Sequence, residues 1–269
     1  MKLSISNIAW AAQADDEVYR LMKEKGYRGL EIAPTRIFPD KPYTLLREAA
    51  AWAEALKQEH GFTIPSMQSI WFGRRERLFG SVQERAALAE YTRFAVDFAA
   101  AAGCGNLVFG SPKNRALPES ADAQLRRQGI EFFREIGDYA AENGTVIGME
   151  ANPAIYNTNY INTTAEALAL IRETGSAGLL LNLDSGAMIQ NAEAVETLEG
   201  AAGYIHHVHI SEPYLAPIVT SAQRRSFHRE LACFLRENGY NGYVSIEMGR
   251  VEELSVLEET LGYVKEIFG

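Results

Sequence analysis

The run Ile205-His206-His207-Val208-His209-Ile210-Ser211-Glu212 holds three of the five histidines of the chain. Its apolar lead-in reads as a strand running into a loop. Successive side chains on a strand face opposite ways, so His207 and His209 share one face and His206 takes the other. Imidazole titrates near neutral pH and is the commonest neutral metal ligand. Taken alone, the pair reads equally well as satisfied core histidines. Three further apolar runs shift that balance: Ile147-Gly148-Met149 leads into Glu150, Leu181-Asn182-Leu183 into Asp184, and Val244-Ser245-Ile246 into Glu247. A carboxylate at the end of a buried strand must be paired, because an isolated buried charge is very costly. Three of them close together repel and raise one another's pKa. One divalent cation removes both problems. Three oxygens and one imidazole suit Mn²⁺, Mg²⁺ or Co²⁺, with Zn²⁺ tolerated, better than they suit a thiolate-type structural zinc site.

Four such groups meet only if their strands end side by side. The pattern predicts strands over residues 2–8, 29–33, 63–70, 106–109, 146–150, 178–183, 204–210 and 243–246. Between and after them it predicts helices over 15–25, 43–59, 81–102, 120–142, 164–174, 192–200, 223–238 and 252–267. Gly26, Gly103, Gly175 and Gly239 stand where helices stop. Strict alternation implies a parallel sheet with helical crossovers. Eight units point to an α/β fold, a single-domain (β/α)8 TIM barrel over residues 1–269, with its chemistry at the C-terminal ends of the strands. An open doubly wound sheet would place a glycine-rich phosphate turn after the first strand, where this chain has Asn7-Ile8-Ala9-Trp10.

The whole chain resembles the xylose-isomerase-like barrels, the sugar isomerase/epimerase superfamily. That group includes ketose 3-epimerases, hydroxypyruvate isomerase, inosose dehydratase and dehydroshikimate dehydratase. The resemblance rests on Gly148-Met149-Glu150, Leu181-Asn182-Leu183-Asp184, His207-Val208-His209-Ile210-Ser211-Glu212 and Gly242-Tyr243-Val244-Ser245-Ile246-Glu247. It implies that Glu150, Asp184, His209 and Glu247 bind one divalent metal, commonly manganese, and that Glu150 and Glu247 exchange protons with substrate. Two departures stand out. The epimerases have Asp-x-x-His after the sixth strand, and here Asp184-Ser185-Gly186-Ala187 ends in alanine. The arginine that many carry shortly after the seventh-strand motif is missing from Glu212-Pro213-Tyr214-Leu215-Ala216-Pro217.

The implied chemistry is proton removal beside a carbonyl, giving an enediolate on a sugar or sugar-acid-like hydroxy-ketone. Return of the proton gives epimerisation or isomerisation. Loss of a β-hydroxyl instead gives a dehydratase acting on an inosose- or dehydroshikimate-like substrate. Further contacts with substrate are expected from Glu31, Gln68, His207 and Glu212, and from Lys113 and Arg115 in Gly110-Ser111-Pro112-Lys113-Asn114-Arg115. Those two cations could meet a carboxylate or phosphate and lean the reading toward an acidic substrate.

The net charge of -9 argues against a nucleic-acid surface, which would be basic. An endonuclease on this fold would also want extra early histidines, where Gln68 stands. Two cysteines without C-x-x-C spacing suit a reducing, cytoplasmic setting. No run approaches the ~18 apolar residues of a membrane span. A homo-oligomer remains compatible with all of this.

Overall fold

The computed structural model describes residues 1–120 and 122–269. Seven parallel strands form one sheet: β1 (Lys2–Ser6), β2 (Gly29–Glu31), β3 (Asn106–Phe109), β4 (Val146–Glu150), β5 (Leu179–Asp184), β6 (Ile205–Ile210) and β7 (Tyr243–Ile246). Their order is β2-β1-β7-β6-β5-β4-β3. Each strand is followed by helix, as parallel pairing requires. The main helices are α1 (Asp15–Lys25), α2 (Pro34–Ile37), α3 (Leu46–His60), α4 (Val82–Ala102), α5 (Ala123–Glu142), α6 (Thr164–Thr174), α7 (Ser185–Gln190), α8 (Ala222–Glu237) and α9 (Leu254–Phe268).

The expected strand over 63–70 is not a regular strand. Thr63 bridges Gly29 on one side, and Met67 bridges both Ile32 and Leu107. The amides of Leu30 and Ile32 donate to the carbonyls of Thr63 and Ser66, and Val108 donates to Met67. The segment therefore fills the eighth position between β2 and β3, but Pro65 has no N–H to give and breaks the ladder. The fold is an α/β TIM barrel with one irregular stave.

Helix ends follow their signals. Ser81 with Glu84, and Thr163 with Glu166, make capping boxes at α4 and α6. Gly26, Gly103 and Gly175 take left-handed caps. The expected helix over 120–142 starts at Ala123 behind an Asp122 cap, and residue 121 of that range lies outside the described residues. The expected helix over 192–200 is only a 3-10 turn, Val195–Leu198. The α-helix comes earlier, as α7, directly after β5.

Outward strand residues such as Ile5, Leu30, Leu107, Ile147, Leu181 and Val208 join one hydrophobic core with the helices. The inward row is polar: Ser4, Ser6, Glu31, Asn106, Asn182, His207, His209 and Ser245 are all buried. One irregularity shapes the mouth of the barrel. Leu181 pairs with Ile205, but the register then slips so that Asp184 pairs with His209. A regular ladder would set Asp184 beside Val208, which points to the helices. The slip brings the aspartate and the imidazole onto the same face.

Candidate active site

The C-terminal ends of β4 to β7 open into a cavity of about 200 Å³. Its lining includes Gln68, Asn152, Tyr156, Glu150, Asp184, Ser211, Glu212 and Glu247. Against the Glu150, Asp184 and Glu247 carboxylates, behind the lining, lies His209, fully buried. The Nδ1 atom of its ring is 3.0 Å from Glu150 Oε1, 3.2 Å from Glu247 Oε2 and 3.9 Å from Asp184 Oδ2. One donor atom from each of these four residues lies within 4.8 Å of all the others. The sequence-predicted quartet is thus brought together by four adjacent strand ends.

The carboxylates are aimed by neutral donors. Asn182 Nδ2 donates to Glu150 Oε1 at 2.9 Å and Asn152 Nδ2 to Glu150 Oε2 at 3.1 Å. Asp184 caps α7: its Oδ1 accepts from the Ala187 amide at 2.6 Å, while Oδ2 accepts from Ser211 Oγ at 2.6 Å. Ser211 Oγ in turn accepts from the Gly186 amide at 2.9 Å. Gly186 is needed for that approach, because a Cβ there would stand 2.5 Å from Ser211 Oγ.

The electrostatics are strained in a definite direction. Burial, then the neighbouring Glu150 and Glu247 carboxylates, push Asp184 up to about 8. Burial also raises Glu247, with His209 opposing. For His209, burial works against the charged ring, but the Glu31 and Glu247 carboxylates win and hold it well above the usual imidazole range. For Glu31, burial is likewise outweighed by His209 and His207, which keep it far below the usual carboxylate range. One imidazolium cannot neutralise four carboxylates, so the surplus falls on Asp184 and Glu247. The donor set therefore fits a divalent cation, which supplies the missing positive charge to three oxygens and one nitrogen at a single point.

The other expected contacts divide. Gln68 lines the cavity and donates from Nε2 to Ser6 Oγ at 2.9 Å. Glu212 lines it too, with Oε1 held by Arg224 Nε at 2.8 Å and by the Val219 amide. Glu31 and His207 do not line it. Glu31 sits behind His209, with Oε2 at 2.9 Å from His209 Nε2, and His207 Nε2 lies 2.9 Å from Ser245 Oγ. They face the barrel interior.

Lys113 and Arg115 stand outside the cavity lining. Gly110, Ser111 and Pro112 line the cavity, but neither cation does. Lys113 is solvent-exposed. Arg115 is 0% exposed and donates to the carbonyls of Phe109, Glu150 and Ile161 and to Asn152 Oδ1. Burial lowers it to about 10, with Glu150 opposing. It fastens the β3 loop to β4 through its two terminal nitrogens, while its Nε–H is buried without a partner and does not reach the cavity lining.

Sequence reasoning missed Asn182, Asn152, Ser211 and Tyr156. Asn182 carried a signal: it is polar inside Leu181-Asn182-Leu183 and two residues from Asp184, hence on the same face. Asn152 stands in the same relation to Glu150. Tyr156 gave no such sign, since it comes from a 3-10 turn after β4.

A family model described as "Xylose isomerase-like TIM barrel" matches residues 19–267. The chain belongs to the xylose isomerase-like TIM barrels. Among curated relatives within this family, an L-ribulose 3-epimerase of Mesorhizobium japonicum is 38% identical over 78 residues, 28% of this chain and 26% of that protein. The match thus spans about a quarter of that relative's length. Solved structures agree on the xylose isomerase-like fold. A D-psicose 3-epimerase has a TM-score of 0.77 at 17% identity, covering 100% of both chains. A 3-keto-D-glucoside 4-epimerase from E. coli has a TM-score of 0.75 at 20% identity, covering 99% of each. Among the described residues, no helix is long and apolar enough to cross a membrane.

Proposed function

We propose that this protein is a sugar epimerase or isomerase that depends on one divalent ion, with manganese the first candidate. The observation that carries the reading is the convergence of Glu150, Asp184 and Glu247 on His209 Nδ1 behind the cavity lining. Curated relatives that are 3-epimerases support the same chemistry. Glu150, Asp184, His209 and Glu247 would hold the ion. When bound, it would act as a Lewis acid on a carbonyl oxygen and make the adjacent carbon acidic.

The protein's own groups supply the proton transfers. Glu150 and Glu247 both line the cavity, each with a carboxylate oxygen near the same point. One takes the proton beside the carbonyl and the other returns it. Asn182 and Asn152 hold both Glu150 oxygens, which fixes the direction of attack. Gln68, Ser69, Asn152 and Tyr156 offer hydrogen-bonding groups for sugar hydroxyls. Among the described residues, the cavity lining includes no lysine or arginine, so an uncharged sugar suits it better than a sugar acid or phosphate.

The test is proton–deuterium exchange by NMR on a panel of ketoses, inososes and keto-acids after loading with Mn²⁺. The expected result is exchange at the carbon beside the carbonyl of a neutral ketose, without loss of water. An ultraviolet-absorbing enone product would replace this reading with dehydration, and no exchange on any substrate would remove it.

A further inference from the structure

The chemistry above uses only one side of the His209 ring. On the other side, Nε2 lies 2.9 Å from Glu31 Oε2, and both residues are 0% exposed. The same Glu31 oxygen is 3.3 Å from His207 Nε2, which is itself 2.9 Å from Ser245 Oγ. These groups form a line of polar contacts from β2 through β6 to β7, beneath the cavity and shut off from it.

We propose that Glu31 is a positioning residue: it accepts the hydrogen on His209 Nε2, so that the proton an ion displaces comes from Nδ1 and the freed lone pair is aimed at the ion site. The inference rests on the reading of the site as a cation site. A neutral imidazole carries one N–H, on one nitrogen or the other. An ionised carboxylate can only accept, so Glu31 draws that hydrogen to Nε2. Once an ion has displaced the other proton, Nδ1 is an acceptor facing the oxygens of Glu150, Glu247 and Asp184, which as carboxylates also only accept. A lone pair among three anions is repelled by them and attracted by a cation at the same point. A carboxylate behind a ligating histidine also fixes the ring's rotation and raises its basicity.

The details favour this role over plain packing. Glu31 Oε1 is buried without a hydrogen-bond partner, so the carboxylate is satisfied only through the oxygen that serves the two histidines. The chain can hold Glu31 here because Ser6 and Glu31 are in register on β1 and β2, which sets Glu31 at the level of the site. The donor atoms of Glu31, His207 and His209 also lie close enough to share an ion of their own. All three residues are at most 2% exposed and none lines the cavity, so an ion would have no aqueous route in.

The test pairs calorimetric titration with Mn²⁺ and melting in EDTA, on the wild type and Glu31→Gln. It adds two-bond ¹⁵N–¹H NMR of the histidines in wild type loaded with diamagnetic Mg²⁺. The expected results are one ion per chain, a ten- to hundredfold weaker ion affinity in Glu31→Gln with EDTA melting changed by only a few degrees, and a His209 ring protonated on Nε2. An affinity within twofold of wild type, two ions per chain, or a ring protonated on Nδ1 would each overturn the proposal. If Glu31→Gln does not fold, the NMR tautomer in wild type decides alone. A wild type that binds no ion removes the functional reading and this one together, whereas equal binding by both proteins removes only the positioning role.

Discussion

Arg115 and the Glu150–Asp184–Glu247 group share the same end of the barrel, and both are buried charge. Arg115 is surrounded by neutral oxygens: three carbonyls and the Asn152 side chain accept from its two terminal nitrogens. The carboxylates are given a single imidazole, and burial with mutual repulsion pushes Asp184 up to about 8. The first arrangement leaves only the buried Nε–H without a partner and sets no like charge against another. The second leaves negative charge that the folded chain does not balance. Charge that a protein has finished pairing is structure, and charge left unbalanced at a cavity floor is where a cation and a reaction belong. The run 110–115 teaches the same lesson, since its glycine, serine and proline touch the cavity and its cations do not.

The comparison breaks most sharply on activity. Glu150→Gln should cut proton exchange by about 10²–10⁴-fold, the usual worth of a positioned base, while Lys113→Ala leaves it unchanged; NMR exchange rates read both. An active Glu150→Gln would move the chemistry elsewhere. On stability the order reverses. Arg115→Met strands several buried acceptors and should cost roughly 3 kcal/mol or more in urea unfolding. A loss under ~1 kcal/mol would mean that the Arg115 contacts are ornamental.

Asp184→Asn should act the other way. Asparagine still caps α7, and one of the repelling charges is gone, so the protein in EDTA should gain about 1–2 kcal/mol even as ion binding fails. A loss of stability in EDTA would show that the carboxylates are not in conflict. The smallest effect concerns His228, a third kind of buried charge, kept neutral. Burial, aided by Arg224, lowers it to about 4, and its Nε2 has no partner. Its folded pKa lies below the unfolded 6.5, so the unfolded chain takes a proton first. Stability is full above pH 6.5 and is lost as pH falls toward 4. Relative to His228→Gln, wild type should lose about 1 kcal/mol near pH 5.5, measured as the difference between two denaturation curves. A constant difference from pH 7 to 5 would contradict the shift.

Much of this was legible in the residues, for identifiable reasons. The alternation of apolar runs and amphipathic segments carried the barrel, and helix stops at Gly26, Gly103 and Gly175 fell where the left-handed caps are. Glu150, Asp184, His209 and Glu247 stood out because each ends an apolar run. What the chain did not reveal depends on register and depth. The slip after Leu181 that aligns Asp184 with His209 has no sequence mark. Glu31 looked like a ligand contact because it ends a strand, but β2 is only three residues long and leaves it behind the histidine rather than above it. Arg115 looked like an anion site because loops at strand ends carry function. Only the folded wall shows that its terminal nitrogens serve backbone carbonyls and that it lies outside the cavity lining. The irregular stave at 63–68 has one mark in the sequence, Pro65, which has no N–H to give a ladder.

The most direct measurement is a crystal of the Mn²⁺-loaded protein with data on both sides of the manganese absorption edge. The account predicts one anomalous peak per chain, within coordination distance of Glu150, Asp184, Glu247 and the Nδ1 atom of His209. A peak bound elsewhere, or full loading in solution with no peak among these four side chains, would contradict it.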